Sequence, residues 1–380
     1  MNYKYLFLLT MGHLFTDLNQ GALPALLPFM ITVHGLNYAQ AAGLIFAANF
    51  LSSLVQPLFG IMADKHARVW MMIVGIFLAG LGIGLSGYIP NYIILFCIIS
   101  ISGLGVAMFH PEGALLANKL AGSKKASGLS LFALGGNGGY ALGPILATIA
   151  ILHFGFHATI ILFILSLFMA ILFTPHIPFF DKILKSPKET KTAWARNTKN
   201  QIGAFLILTG IVFCRSSIFF GLNTFIPLLW INYYHASQTE GSTALAIFFL
   251  MGAIGTIIGG NLADRLGYVN IVRLGFIILL PALLLFPFID NKVLAMALLV
   301  PIGFGVYMAF SPMVVLGQKY LPNSMGLASG VTIGLAVSVG GIIAPLLGMI
   351  ADSYGLISAF YVIAIIPLIA SPLSFCLPKD

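Results

Sequence analysis

Three groups of residues carry side chains for which an apolar segment has no ordinary use. The first is His110-Pro111-Glu112, a titratable ring, a helix breaker and a carboxylate in one run. It lies inside an apolar stretch from about Tyr92 to Ala117, long enough at ~1.5 Å per residue to cross a ~30 Å hydrocarbon core. A carboxylate in such a place costs roughly 2.5–3.5 kcal/mol on insertion scales, so its default reading is functional. The second group is His13, Asp17 and Gln20, spaced i, i+4, i+7 and therefore on one face of one helix. In a bilayer that face must look onto a cavity or onto partners. The third is Arg215, which counted from Gln201 lies roughly 20 Å from the inner edge of its span. Asp17, counted from Lys4, lies at a similar depth.

These types suggest two kinds of chemistry. Glu112, Asp17, His110 and His13 are candidates for taking up and releasing a coupling proton, Glu112 first. The bland alternative is that Glu112 caps backbone freed by Pro111, with His110 as its partner. Arg215 is a candidate anchor for an anionic or zwitterionic substrate, because a guanidinium forks onto carboxylate or phosphonate in a way lysine does not. Its bland alternative is a buried ion pair with Asp17. Gln20, Asn49, Gln56, Asn137, Asn223, Tyr307 and Ser311 complete the substrate-binding candidates together with Asp17, although each neutral residue alone is ordinary interhelical glue.

The elements that must position these groups are membrane helices. Hydrophobic residues make up 59% of the 380-residue chain and charged ones 7%, far from the ~25% charged content of soluble domains. Twelve apolar segments can be counted, at about 5–33, 39–63, 69–89, 92–118, 127–152, 156–175, 202–232, 242–263, 270–289, 293–318, 326–350 and 356–377. Barrel strands would be about half as long and would alternate. The first segment is too long for a signal-peptide core and is expected to be retained. Cys97, Cys214 and Cys376 lie in apolar segments with neither zinc spacing nor a disulfide framework.

One connection is long and basic, and it divides the chain into a six-helix bundle at 1–175, a linker at 176–200 and a second bundle at 201–380. The net charge of +8 is scattered between apolar runs, which speaks for topology and against nucleic acid. Threaded from an inside N-terminus, all Lys and Arg fall on the inner side except Lys292 outside and Arg215 within a helix, so both termini are expected in the cytoplasm.

An internal repeat underlies the division. Gly60-Ile-Met-Ala-Asp64-Lys65 matches Gly260-Asn-Leu-Ala-Asp264-Arg265 at an offset of 200, as Gly103 and Gly105 match Gly303 and Gly305. The run Gly105-Val-Ala-Met-Phe-His-Pro has its echo in Gly305-Val-Tyr-Met-Ala-Phe-Ser-Pro312, which lacks the His and the Glu. Ser127-Gly128 recurs as Ser329-Gly330, Gly143-Pro144 as Ala344-Pro345, and Phe154-Gly155 as Tyr354-Gly355. Two parallel six-helix repeats are a transporter design.

By these motifs the chain resembles the major facilitator superfamily of secondary transporters. Gly60 to Arg68, with Asp64 and Lys65, looks like its signature loop after the second helix, and Gly260, Asp264 and Arg265 like the weaker second copy. Gly135-Gly-Asn-Gly-Gly139 followed by Gly143-Pro144 resembles, incompletely, the glycine-proline motif of its drug:proton antiporters. His13-Leu14-Phe15-Thr16-Asp17, Gln56-Pro57, Phe109-His-Pro-Glu112 and Gly135-Gly136-Asn137 are similar to the fosmidomycin-resistance branch. The resemblance implies an all-α membrane protein of twelve helices in two pseudo-symmetric bundles, in a bacterial cytoplasmic membrane. It implies conformational gating at Gly60, Asp64, Lys65, Arg68, Gly139, Gly143, Pro144, Gly260, Asp264 and Arg265.

The function expected is proton-coupled efflux of a small drug-like, anionic or zwitterionic compound by alternating access, by a monomer with no cofactor beyond the proton gradient. Export of a siderophore or other metallophore, and proton-driven import, remain open. An intramembrane hydrolase is the class alternative, but no HExxH pair or serine-centred motif is present, so neither enzymatic activity nor a bound metal is expected.

Overall fold

Helix is the only regular structure among the described residues, as the apolar composition requires: in hydrocarbon every backbone N–H and C=O must be paired within the segment. The computed structural model describes residues 2–66, 68–122, 125–184, 200–324, 327–328 and 330–378. Side chains at 57, 60, 61, 63–66, 125–127, 130, 333 and 334 lie outside that description, as does most of the basic linker. The chain divides into two compact units, Met1–Leu36 with Gly43–Thr190, and Asn37–Ala42 with Lys191–Asp380.

The first unit is built from α1 (Tyr3–His34), α2 (Tyr38–His66, beyond its first turn), α3 (Val69–Leu85), α4 (Tyr92–Ala121), α5 (Lys125–Phe154) and α6 (Ile160–Phe173), followed by a short amphipathic α7 (Ile177–Leu184). The second contains α8 (Ile202–Asn232), α9 (Gln238–Leu266), α10 (Tyr268–Leu285), α11 (Lys292–Met308), α12 (Phe310–Tyr320), a π-helical turn over Gly330–Leu335 that runs into α13 (Ala336–Tyr354), and α14 (Leu356–Phe375). Eleven spans among the described residues are long and apolar enough to cross a membrane. The sequence reading counted twelve; the difference is α1, 32 residues long, whose apolar character is diluted by His13, Asp17, Asn19 and Gln20.

The offset of 200 recurs in the packing. Gly103 of α4 lies against the carbonyl of Ala48, and Gly303 of α11 against that of Phe248; Gly105 meets Gly75 as Gly305 meets Gly275. Both α4 and α11 begin at an asparagine whose Oδ1 accepts two backbone N–H groups, Asn91 from Ile93 and Ile94 at 3.0 and 3.1 Å, Asn291 from Val293 and Leu294 at 2.9 and 3.1 Å. Basic residues close helix ends. Lys119 Nζ donates to the Ile183 and Leu184 carbonyls that end α7, at 3.1 and 2.6 Å. Arg273 does the same for Ser374, Phe375 and Leu377 at the end of α14. Cations there satisfy orphan carbonyls and the negative end of the helix dipole.

What positions the polar face of α1 is its crossing with α5. A Cβ on Gly139 would stand 2.7 Å from Leu18 N, one on Gly143 2.6 Å from Ala22 N, and one on Gly21 2.6 Å from Tyr140 Cα. The glycines let the two backbones touch, the small-residue packing that membrane helices use in place of hydrophobic attraction.

Candidate functional site

Two constellations of charged or titratable side chains stand out among the buried polar residues, one inside each unit. In the first, His13 and Asp17 project from α1 at i, i+4, and α4 brings His110 to them. His13 Nε2 lies 3.1 Å from Asp17 Oδ2, His110 Nε2 lies 3.1 Å from Asp17 Oδ1, and the two Nε2 atoms are 3.2 Å apart. His13 is further fixed from α5: its Nδ1 is 2.8 Å from the carbonyl oxygen of Phe132, and its ring stacks on that phenylalanine at 4.1 Å. Gly136, one turn along α5, admits this arrangement, since a Cβ there would stand 2.6 Å from His13 Nε2 and 2.7 Å from Asp17 Oδ2. Asp17 and His13 are buried, and the His110 side chain keeps 24% exposure.

Glu112 does not join this cluster. Residues i and i+2 point to different sides of a helix, so Pro111 and Glu112 turn away as His110 faces α1. The Glu112 carboxylate is fully buried, and its Oε1 accepts the backbone N–H of Arg68 at 3.0 Å, where α3 begins. Its Oε2 is buried with no partner among the described residues. The bland alternative, Glu112 with His110 as its partner, is not what forms: His110 meets Asp17 and His13, while Glu112 accepts the N–H at the start of α3. Pro111 does not end α4 either, which runs on to Ala121.

The second constellation surrounds Arg215 on α8. Its Nε donates to the Val306 carbonyl at 2.9 Å, and the guanidinium stands over the rings of Phe310, Tyr307 and Phe219 at 4.6, 5.6 and 5.7 Å. Within its unit no carboxylate of a described residue forms an ion pair with it. Arg215 and Asp17 belong to different units, and within its own unit each has the partners described above. Tyr307, a substrate-binding candidate, is thus a wall of the arginine pocket, packed so closely on Gly252 that no Cβ fits there.

Among the remaining candidates, Gln20 Nε2 and Asn223 Oδ1 are buried and unpartnered among the described residues, an arrangement that awaits a donor or acceptor from elsewhere. Asn49 turns its amide back onto the Ile45 carbonyl at 2.8 Å. Gln56, Asn137 and Ser311 are half-buried. Of the gating candidates, Gly139 and Gly143 lie in the α1–α5 contact and Pro144 lies within α5. Gly60, Asp64 and Lys65 are helical residues whose side chains fall outside the described set, and Arg68 is the N-cap of α3. In the second copy Asp264 accepts from the Tyr268 hydroxyl at 2.9 Å, Arg265 is exposed, and Gly260 faces open space.

Sequence reasoning missed Asn19, which joins α1 to α6 through Ser166 Oγ at 2.9 Å, and missed Phe219 and Phe310 around the arginine. Gly136 was visible only as part of a motif. Nothing in a linear pattern marks a carbonyl such as that of Phe132 as the acceptor for a histidine two hairpins away.

Residues 9–345 match the family model of the Major Facilitator Superfamily. The chain is similar to the uncharacterized MFS-type transporter YfnC of Bacillus subtilis (strain 168), 32% identical over all of this chain and 93% of that one. It is also similar to the fosmidomycin resistance protein of Escherichia coli (strain K12), 26% identical over 98% of this chain and 92% of the relative. A bacterial homolog of the human lysosomal transporter Spinster, crystallised inward-facing and occupied, shares the fold with a TM-score of 0.81 at 15% identity, covering 99% of this chain and 97% of its own. An all-helical chain of apolar spans built as a repeat at an offset of 200, matched by that family model over most of its length, belongs to the Major Facilitator Superfamily and is a multi-pass membrane transporter rather than an enzyme.

Proposed function

We propose that this chain exports a small anionic or zwitterionic compound by alternating access, driven by proton entry, from a cytoplasmic membrane in which both termini face the cytoplasm. The observation that carries the substrate class is Arg215: a buried guanidinium with one carbonyl and three aromatic faces around it, and no carboxylate of a described residue paired with it in its unit. A permanent cation so placed is costly unless an anion visits it. The unpartnered amide atoms of Gln20 and Asn223 support a polar ligand in the same way. Export is supported by similarity to the fosmidomycin resistance protein over nearly the whole chain. The antiporter-like glycine pattern of α5 supports the proton as coupling ion.

The test is an efflux-deficient bacterial host expressing the chain and challenged with a panel of toxic compounds, fosmidomycin among them, with and without a protonophore. Resistance to anionic or zwitterionic members, lost with the protonophore, is the expected result. Arg215→Ala should abolish it, and Arg215→Lys should restore it only in part, because an ammonium lacks the planar fork. Resistance confined to cationic compounds, or full activity of Arg215→Ala at wild-type expression, would overturn the substrate class. Accumulation inside the cell in place of expulsion would reverse the direction.

A further inference from the structure

A neutral imidazole has one N–H and one lone pair, whereas a carboxylate has only lone pairs. His13 Nδ1 lies 2.8 Å from the Phe132 carbonyl oxygen, which can only accept, so that nitrogen carries the proton. In the neutral ring Nε2 then presents its lone pair, yet it stands 3.1 Å from Asp17 Oδ2 and 3.2 Å from His110 Nε2. Lone pairs gathered at such distances repel unless something electrophilic sits among them. A proton on that ring, on Asp17 or on His110 Nε2 relieves part of this repulsion, and a metal ion held by all three groups relieves all of it.

Three features favour the ion. One ligand atom from each of His13, Asp17 and His110 lies within 4.8 Å of the others; the two Nε2 atoms, 3.2 Å apart, are near the ~3.3 Å edge of a tetrahedron with donors ~2.0 Å from a central zinc, and each carboxylate oxygen of Asp17 meets one imidazole at 3.1 Å. The bond from His13 Nδ1 to a backbone carbonyl is the outer support that metal-binding histidines ordinarily have, fixing the tautomer that leaves Nε2 free. The donors are also held from three helices, with the α5 backbone brought against them at Gly136. We infer that His13 Nε2, His110 Nε2 and the Asp17 carboxylate form a three-donor site for a divalent transition-metal ion of the zinc class. Two imidazoles select such ions, whereas magnesium and calcium prefer donor sets made of oxygen alone.

One carboxylate leaves a divalent ion with a net charge of +1 in a buried place, and three donors leave a coordination position unfilled. An anionic donor on a small chelator meets both needs, entering beside His110, whose side chain is 24% exposed against 11% for His13 and 7% for Asp17. The site therefore takes the ion as a chelate. The donors are split over α1 and α4, 93 positions apart from Asp17 to His110, so no linear metal-binding motif marks them.

The full-length protein, purified in detergent and freed of metal with EDTA, is titrated with Co2+ and followed by visible absorption. Four- or five-coordinate Co2+ absorbs far more strongly than the hexaaqua ion. The expected result is an intense band that saturates at one Co2+ per chain and bleaches when Zn2+ is added. His110→Ala and Asp17→Asn should weaken Co2+ binding by at least the ~10–100-fold typical of losing an outer-shell partner. Size-exclusion profiles identify any variant that fails to fold, and the wild-type titration decides the matter even if both do. Acetohydroxamate added to the Co2+-loaded protein should shift the band; an unchanged band overturns the open position. No intense band in the wild type, or an equal band in folded His110→Ala, overturns the site and leaves a cluster that holds protons only. Transport is not measured, so this result and the test of export fail independently.

Discussion

At position 112 the chain buries a carboxylate and gives it one visible task, accepting the N–H of Arg68 where α3 starts. Glu112→Ala leaves that part-buried N–H without its acceptor and should lower stability by about 1 kcal/mol, the low end of the cost of an unmet donor. Glu112→Gln keeps an oxygen for the same N–H and should lose much less. Thermal unfolding of the detergent-purified protein distinguishes the two; equal losses would mean that charge, not the acceptor, matters at this position. Asn19 makes a similar case on α1. Its amide donates to Ser166 Oγ on α6 at 2.9 Å, and a double-mutant cycle of Asn19→Ala and Ser166→Ala should return a coupling of about 0.6 kcal/mol, the usual size of interhelical bonds in bilayers.

The α1–α5 crossing is the element on which the first polar cluster depends. Neighbouring glycines on α5 differ sharply in what a methyl group would meet. At Gly139 it would press on backbone atoms of Leu14 and Leu18, which cannot swing aside, whereas at Gly138 its nearest neighbour is Leu14 Cδ1 at 3.7 Å. Gly139→Ala should therefore cost about 1–3 kcal/mol as overpacking, while Gly138→Ala should be neutral or slightly stabilising through its helix propensity. Unfolding temperatures of the two variants check the contrast. The asparagine caps permit a second comparison: Asn91→Ala and Asn291→Ala should each cost about 1 kcal/mol, because each leaves two N–H groups at a helix start without an acceptor.

Across the whole chain, the repeat keeps its packing and caps but not its chemistry. Glycine contacts, asparagine caps and short 3-10 turns at Ser86–Tyr88 and Phe286–Phe288 recur at the same offset, while His13, Asp17 and His110 belong to one unit and Arg215 to the other. The two units thus share one scaffold and differ in the polar side chains it carries. The scattered basic residues yield a prediction about orientation: a fluorescent protein fused after residue 380 should fluoresce, and alkaline phosphatase fused there should be inactive. The opposite pair of results would invert the topology.

By itself the sequence determined the class, the spans and the repeat, because the hydrocarbon demands long apolar helices and the offset of 200 is a one-dimensional pattern. It also marked nearly all the polar residues at issue, since a charge or an amide in an apolar run is conspicuous wherever it points. Only the tertiary structure decided their company. His110 and Glu112, two positions apart, part because successive side chains leave a helix about 100° apart; His110 meets His13 and Asp17 because α4 packs on α1, while glycines on α5 let that helix touch α1 as well. Arg215 finds aromatic faces and a carbonyl for the same reason: direction and proximity are properties of packed helices, and no linear spacing encodes which neighbour a side chain will face.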